Sequence, residues 1–433
     1  MMKVTGRFLK IERLATTTLL WLLALVVHAE DWPQWRGPNR DSVWNEKGIC
    51  ETFPTNGLKI RWRASVGYGY SSPVVAKGRV YVTDSQLSEK PKAFERVLCF
   101  AEESGQSLWT FSHEVTFPDW GFTPDQEKRP NATPIVQDGK VYSLASVGHV
   151  FCLEARDGAV RWQRDLAKEY PAAELTASAS PLIDGDLLIL LVGAKPDACV
   201  VALHKNSGKE VWKALDEPVA HSSPIIITAG GCRQLIVWTQ KSVTALEPAT
   251  GKVHWREPLP TMGDYIVSTP VFSNGRLLLG GLMLTLDADR PAALVLWPDS
   301  RAPSRRILSN TSTALLQGNY VFSAKSSGEF VCLEANTGKQ VWQTNTVTDL
   351  KNGASIHPTW NGGSVLLFND RGELIRARLT AEGYYEISRA ALLKPTYAFG
   401  DRKVAWTPPA YANGHVFARS DKELVCASLV PER

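Results

Sequence analysis

From about residue 58 to its end, the chain alternates short apolar runs with turn signals at a nearly regular period. One phrase recurs: Ser/Thr-Pro, a few β-branched residues, a Gly turn, an apolar strand, a second strand, then Ser/Thr/Asp-Gly-x-x-x-Trp. Its starts fall at Ser72, Thr133, Ser180, Ser223, Thr269, Thr313, His357 and Thr407, and each is followed by a turn glycine, from Gly78 to Gly414. Such a glycine is favoured because a tight hairpin turn needs positive φ. The clearest ends are Trp109, Trp162, Trp212, Trp255 and Trp342, spaced 53, 50, 43 and 87 residues apart. The last interval holds two periods, with a degenerate copy ending near Leu296-Trp297. A period of this size with four short strands per copy predicts a propeller blade.

The final copy, Thr407 to Leu429, supplies only three strands. Leu58 to Arg63, ahead of the first Ser-Pro, reads as an orphan outer strand carrying Trp62. Pairing the two would close the ring and remove the exposed edges of an open array. The expected fold is therefore all-β: an eight-bladed β-propeller of four-stranded antiparallel blades over 58–433, closed by an N-terminal strand. The repeat tryptophans Trp62, Trp109, Trp162, Trp212, Trp255 and Trp342 are expected to lie between neighbouring blades. Runs apolar on both faces, such as Leu187 to Val192, suit sheets packed on two sides. Residues 30–57 form an N-terminal extension, expected to pack on the propeller because Trp32, Trp35 and Trp44 are costly to expose.

Residues 1–29 read as a secretory signal: Lys3, Arg7, Lys10 and Arg13, an apolar run from Leu14 to Val27, and a small-residue stop at Ala29. The first Cys is Cys50, so no lipid-attachment cysteine stands at the cleavage point. A soluble periplasmic or secreted protein is expected, and an uncleaved anchor is the alternative. Removing the four basic residues and Glu12 of this segment from 48 Lys and Arg and 44 Asp and Glu leaves 44 against 43. With no cationic surplus, nucleic acid is not an expected partner. Seven Cys, five of them in apolar strand contexts, read as small buried hydrophobes, because no C-x-x-C occurs.

The Ser-Pro…Gly…Gly-Lys-x-x-Trp pattern resembles the repeats of the quinoprotein alcohol dehydrogenase-like superfamily, the pyrroloquinoline quinone (PQQ)-type propellers. The stretch Asp31-Trp32-Pro33-Gln34-Trp35-Arg36-Gly37-Pro38 resembles the leader of exported proteins with such repeats. For an enzyme, the resemblance implies PQQ in the central funnel, Ca²⁺ on oxygen ligands, a carboxylate base, a vicinal disulfide and a stacked Trp. No Cys-Cys pair exists here, and the carboxylates fall mainly in turns. His spacing supports no metal site, and no G-x-S-x-G elbow is present. Catalytic residues and metal ligands are therefore not assigned.

Residues just ahead of the inner strands, Tyr68, Tyr70, Thr176, His221, Tyr265, Asn310, His357 and Trp406, are candidates to ring one mouth of the channel. Trp120, in the aromatic insertion Phe117 to Pro124, is a candidate cap. Such a ring suits a carbohydrate, a peptide or a small planar ligand. The alternative is that these groups satisfy strand-end backbone atoms. The expected function is a monomeric, non-catalytic binding or scaffold protein of the cell envelope, docking another protein or a glycan without a cofactor. It resembles in architecture the propeller subunit of the outer-membrane protein assembly machinery. A PQQ- and Ca-dependent alcohol or sugar dehydrogenase and a carbohydrate-binding propeller are the alternatives.

Overall fold

The computed structural model describes residues 1–2, 30–117, 130–170, 178–259, 266–298 and 308–431. It contains eight four-stranded antiparallel sheets, seven of them running in sequence order from the innermost strand outward. In blade 1 these strands are Val74–Ala76, Arg79–Leu87, Lys92–Ala101 and Ser107–Thr116. Blades 2 to 7 repeat the pattern, with inner strands Ile135–Gln137, Leu182–Asp184, Ile225–Ala229, Val271–Ser273, Leu315–Gln317 and Ile356–Asn361. Blade 8 takes three strands from the C-terminus, Ala410–Ala412, His415–Arg419 and Glu423–Ser428, and its outer strand, Ile60–Ser65, from the N-terminus. The closing pair runs antiparallel, from Ile60 opposite Ala427 to Ser65 opposite Glu423. The ring is thus closed as the repeat count predicts.

Each blade is apolar on both faces because it serves two neighbours. In blade 3, Leu188, Leu190 and Val192 pack with Tyr142, Leu144 and Val150 of blade 2. The alternate residues Ile189 and Leu191 pack with Leu235 and Val237 of blade 4. The period of two along the strand turns one run into two cores.

The repeat Trp ties each outer strand to the next blade. Trp62, Trp109, Trp162, Trp212, Trp297 and Trp342 donate Nε1–H to the carbonyls of Glu102, Ala155, Lys205, Pro248, Ala335 and Thr380, at 2.7–3.1 Å. Trp255 departs, donating to Gln234 Oε1 within its own blade at 2.7 Å. The third-strand residue opposite the Trp is small in all but blade 5: Cys426, Cys99, Cys152, Ala202, Ala245 and Cys332 face Trp62, Trp109, Trp162, Trp212, Trp255 and Trp342, while Met283 faces Trp297. This explains the recurrent strand cysteine as a packing choice, and all seven cysteines are free thiols.

Two elements lie outside the repeat. A helical turn, Leu166–Glu169, follows blade 2, and a hairpin, Tyr397–Phe399 with Arg402–Val404, stands between blades 7 and 8. Among the described residues no helix is long and apolar enough to cross a membrane.

Candidate functional site

The residue before each Pro does more than mark a strand start. The Thr133 hydroxyl accepts from the Ser72 N–H, Ser180 from Thr133 and Ser223 from Ser180, at 2.9–3.1 Å. Thr313 accepts from Thr269 in the same way, and the Ser312 hydroxyl accepts from the Ile356 N–H. These bonds link blade to blade around the channel on one face of the ring, the face where the inner strands begin. They also satisfy strand-end donors that would otherwise be buried and unpaired.

The channel inside this ring is filled by the chain's own N-terminal extension. Asp31 accepts from the Lys77 N–H at the turn ending the inner strand of blade 1, and Trp32 exchanges two backbone bonds with Val75. Pro33 accepts from Val136 of blade 2, and Trp35 Nε1 donates to Thr269 Oγ1 of blade 5 at 2.8 Å. Arg40 Nη1 donates to the Pro224 carbonyl of blade 4 at 2.9 Å, while Nη2 donates to the Pro181 carbonyl of blade 3. The segment then turns back: Trp44 and Ser42 bond to Trp360 of blade 7, and Asn361 Nδ2 holds the carbonyls of Trp44 and Glu46. Trp32 and Trp44, 2% and 0% exposed, both lie against Tyr411 of blade 8 at ring-centroid distances of 5.7 and 5.5 Å.

Contacts with seven of the eight blades, in their inner strands or just ahead of them, place residues 31–46 on the channel axis as a plug. Both of its ends lie toward the Gly-turn face, and its tip, Arg36 to Arg40, reaches the Ser/Thr-Pro level. The tip needs left-handed backbone, with φ of 61° at Arg36, 88° at Gly37 and 59° at Arg40. Arg36 is held by the Ser42 hydroxyl at 2.8 Å and the Arg40 carbonyl at 3.0 Å. Burial lowers the Arg36 guanidinium to about 10, opposed by Asp41, and Arg40 to about 9, with Arg36 acting in the same direction. Both therefore stay charged at neutral pH, held by neutral oxygens.

Of the residues predicted to line the mouth, the fold brings the Tyr70 and Trp406 rings together and joins His357 to the Trp406 backbone. The Tyr70 ring lies 6.3 Å from that of Trp406, and between them stands Tyr397 of the interblade hairpin, at 5.4 and 4.8 Å. Phe399 packs on the same indole at 4.8 Å, and Trp406 Nε1 donates to the Gly353 carbonyl. The others do not join this cluster. His221 Nδ1 meets the Ser178 hydroxyl, and the Asn310 carbonyl accepts from Val267 and Ser268. Tyr68 exchanges two backbone bonds with Ser85, on the second strand of blade 1, away from the channel. His357 faces inward beside the plug and donates from Nε2 to the Trp406 carbonyl at 2.8 Å; burial lowers it to about 4. Trp120, Thr176 and Tyr265 lie outside the described residues, as does the insertion beyond Phe117.

The residues present do not fit a PQQ–Ca²⁺ pair. The place of a planar ring in the channel is taken by Trp32, Trp35 and Trp44, and the polar groups at its tip are guanidiniums. Among the described residues no three His, Cys, Asp or Glu side chains are placed to hold a metal ion. Six cysteines stand singly on separate strands and Cys50 lies in the extension. No catalytic step through a quinone is derived. The sequence carries no signal that the extension fills the channel or that the Tyr397 hairpin joins the site; Trp32, Trp35 and Trp44 are the signal for packing alone.

A family model described as outer membrane protein assembly factor BamB matches residues 93–286 and 294–383. The quinoprotein ethanol dehydrogenase of Pseudomonas aeruginosa is 27% identical over 253 residues, 55% of this chain and 39% of that protein. The chain spans only 25% to 39% of the length of the first two quinoprotein relatives it matches. The structure of BamB from Moraxella catarrhalis superposes with a TM-score of 0.59 at 18% identity, covering 86% of this chain and 99% of that one. The quinohemoprotein alcohol dehydrogenase of Comamonas testosteroni gives 0.64 at 13%, covering 93% and 81%. These two likenesses speak to the fold alone. Matched by the family model over more than half of its length, and folded as the ring its repeats predict, the chain belongs to the PQQ-type propeller repeat family described as outer membrane protein assembly factor BamB.

Proposed function

We propose that this chain is an exported, non-catalytic propeller that acts as a rigid docking scaffold in the cell envelope. The carrying observation is the plug: the channel in which a ring cofactor would sit is filled by residues 31–46, hydrogen-bonded to six blades and packed on Tyr411 of a seventh. The family description, an assembly factor for outer membrane proteins, agrees with a role in holding other proteins. Such a role uses the outside of the ring, where outer strands keep an unpaired edge available for a partner strand. Blade 5 presents Leu294 and Leu296 together on its outer strand, 72% and 37% exposed.

The second reading, a PQQ-dependent dehydrogenase, is favoured by the quinoprotein relatives. Titrating the mature protein with PQQ and Ca²⁺, while following Trp fluorescence and dye-linked alcohol oxidation, separates the two. The scaffold reading expects no saturable change and no turnover. Saturable binding with turnover overturns it and makes the mouth residues Tyr70, His357 and Trp406 the ones to mutate.

A further inference from the structure

A cavity of about 440 Å³ opens beside blade 8, on the face where the inner strands begin. Three elements wall it: the end of the closing strand (Arg63, Ala64, Ser65), the stem and second strand of the interblade hairpin (Lys394, Pro395, Thr396, Lys403), and the turn Ser420, Lys422, Glu423. The walls are tied together, since the Asp421 N–H donates to Thr396 Oγ1 at 3.1 Å and the Val66 N–H to the Lys422 carbonyl at 3.1 Å.

Its charge is one-sided. Four basic side chains line it against one carboxylate, and that carboxylate, Glu423, is bonded to Arg63 at 2.8 Å. Of the neighbouring acids, Asp401 pairs with Lys351 and Asp370 with Arg402, each at 2.7 Å, while Asp421, in the wall's own turn, accepts from Thr396 Oγ1 at 3.5 Å. Lys394, Lys403 and Lys422 thus have no carboxylate partner among the described residues. Three like charges around one concavity repel one another, and in a chain whose charge is otherwise nearly balanced they concentrate a local positive field. Hydroxyls complete the lining. Ser420 Oγ accepts from the Lys422 and Glu423 N–H groups, which leaves its own proton to donate, and Ser65 stands at the rim.

We propose that this cavity is a binding site for a phosphate-bearing polar group, of the size of a sugar phosphate or a phospholipid headgroup. Lysines supply point charges and the serines supply directed donors to phosphoryl oxygens, the contacts that charge-assisted hydrogen bonds favour. The volume lies within the range of small-molecule sites. The site is independent of the channel and of the scaffold reading.

Pyrophosphate titrated into the mature protein by calorimetry is the test, alongside sedimentation with phosphatidylglycerol and phosphatidylcholine vesicles. The expected result is saturable pyrophosphate binding that weakens with salt and falls by roughly tenfold or more in Lys394→Gln/Lys403→Gln/Lys422→Gln. The control Lys209→Gln/Lys252→Gln/Lys339→Gln removes the same charge from exposed turns elsewhere and leaves binding unchanged. Sedimentation with anionic vesicles, competed by pyrophosphate, identifies a headgroup as the source; pyrophosphate binding without sedimentation identifies a soluble phosphate. No saturable binding, equal loss in both triple variants, or binding of a Glu-rich peptide in place of pyrophosphate overturns the proposal. Pyrophosphate binding fails or succeeds whatever the PQQ titration gives, so the two readings are tested separately.

Discussion

The indole of Trp109 lies against the backbone of Gly158 in the next blade, where an added Cβ would come within 2.7 Å of Trp109 Cε3. The same relation joins Trp62 to Gly105, Trp162 to Gly208, Trp212 to Gly251 and Trp297 to Gly338. The Gly of the Gly-x-x-x-Trp phrase therefore serves two masters: its own turn, at φ of +75° in Gly158, and the Trp of the blade before it.

Gly158→Ala is accordingly expected to cost more than Gly139→Ala. Gly139 has nearly the same φ, +74°, but nothing lies within 4 Å of its added Cβ. The Gly139 change costs about 1–2 kcal/mol for left-handed backbone alone. The Gly158 change adds displacement of a Trp, roughly 1–3 kcal/mol more. Thermal melting of the two variants measures the difference, and equal losses would mean that the indole moves aside freely.

Removing the indole of Trp44 should loosen the plug. Trp44→Ala leaves a cavity against Tyr411 and is expected to cost about 3–5 kcal/mol, the range for a buried aromatic. Lys47→Ala, at an exposed position of the same segment, serves as the control. Limited proteolysis should then cut the Trp44→Ala protein within residues 30–57 faster than either the wild type or the control.

Acid should destabilise the ring through His357. Burial, reinforced by Arg36 and opposed by the Trp406 carbonyl, lowers this imidazole from 6.5 to about 4. Between those values the unfolded chain takes up a proton that the folded one does not. The stabilisation is thus complete above pH 6.5 and is lost as pH falls toward 4, by up to about 3 kcal/mol. His113, lowered to about 4 by burial and by His149, acts in the same direction. Denaturant melts from pH 7 to 4 should show a shallower slope for His357→Gln.

Thiol chemistry should single out Cys232. It is the half-buried cysteine, whereas the other six are buried. Burial pushes the thiols of Cys152 and Cys332 up to about 11 and those of Cys199 and Cys426 up to about 12. A thiol reagent at pH 8 should label Cys232 quickly in the native protein and the rest only after denaturation, since the thiolate is the reactive form. Rapid native labelling of Cys99 or Cys152 would mean that the third strands open.

The sequence by itself determined the ring: the eight repeat starts count eight blades, the Trp ends give the same period, and Trp62 on an orphan strand predicts the closure. That information is local and repeated, because every blade solves the same packing problem and so carries the same residues at the same spacing. It also marked Trp32, Trp35 and Trp44 as residues that must find cover. Where they find it was decided only in three dimensions. The plug is held by contacts to Val75, Val136, Pro181, Pro224, Thr269, Trp360 and Tyr411, residues far apart along the chain that meet only when the ring closes. The same holds at the mouth, where Tyr70 and Trp406 could be named from their place ahead of an inner strand. Tyr397, which joins them, stands on a hairpin outside the repeat, and no periodicity reports it. Local pattern encodes what each blade shares with the others, and the tertiary structure decides what occurs only once.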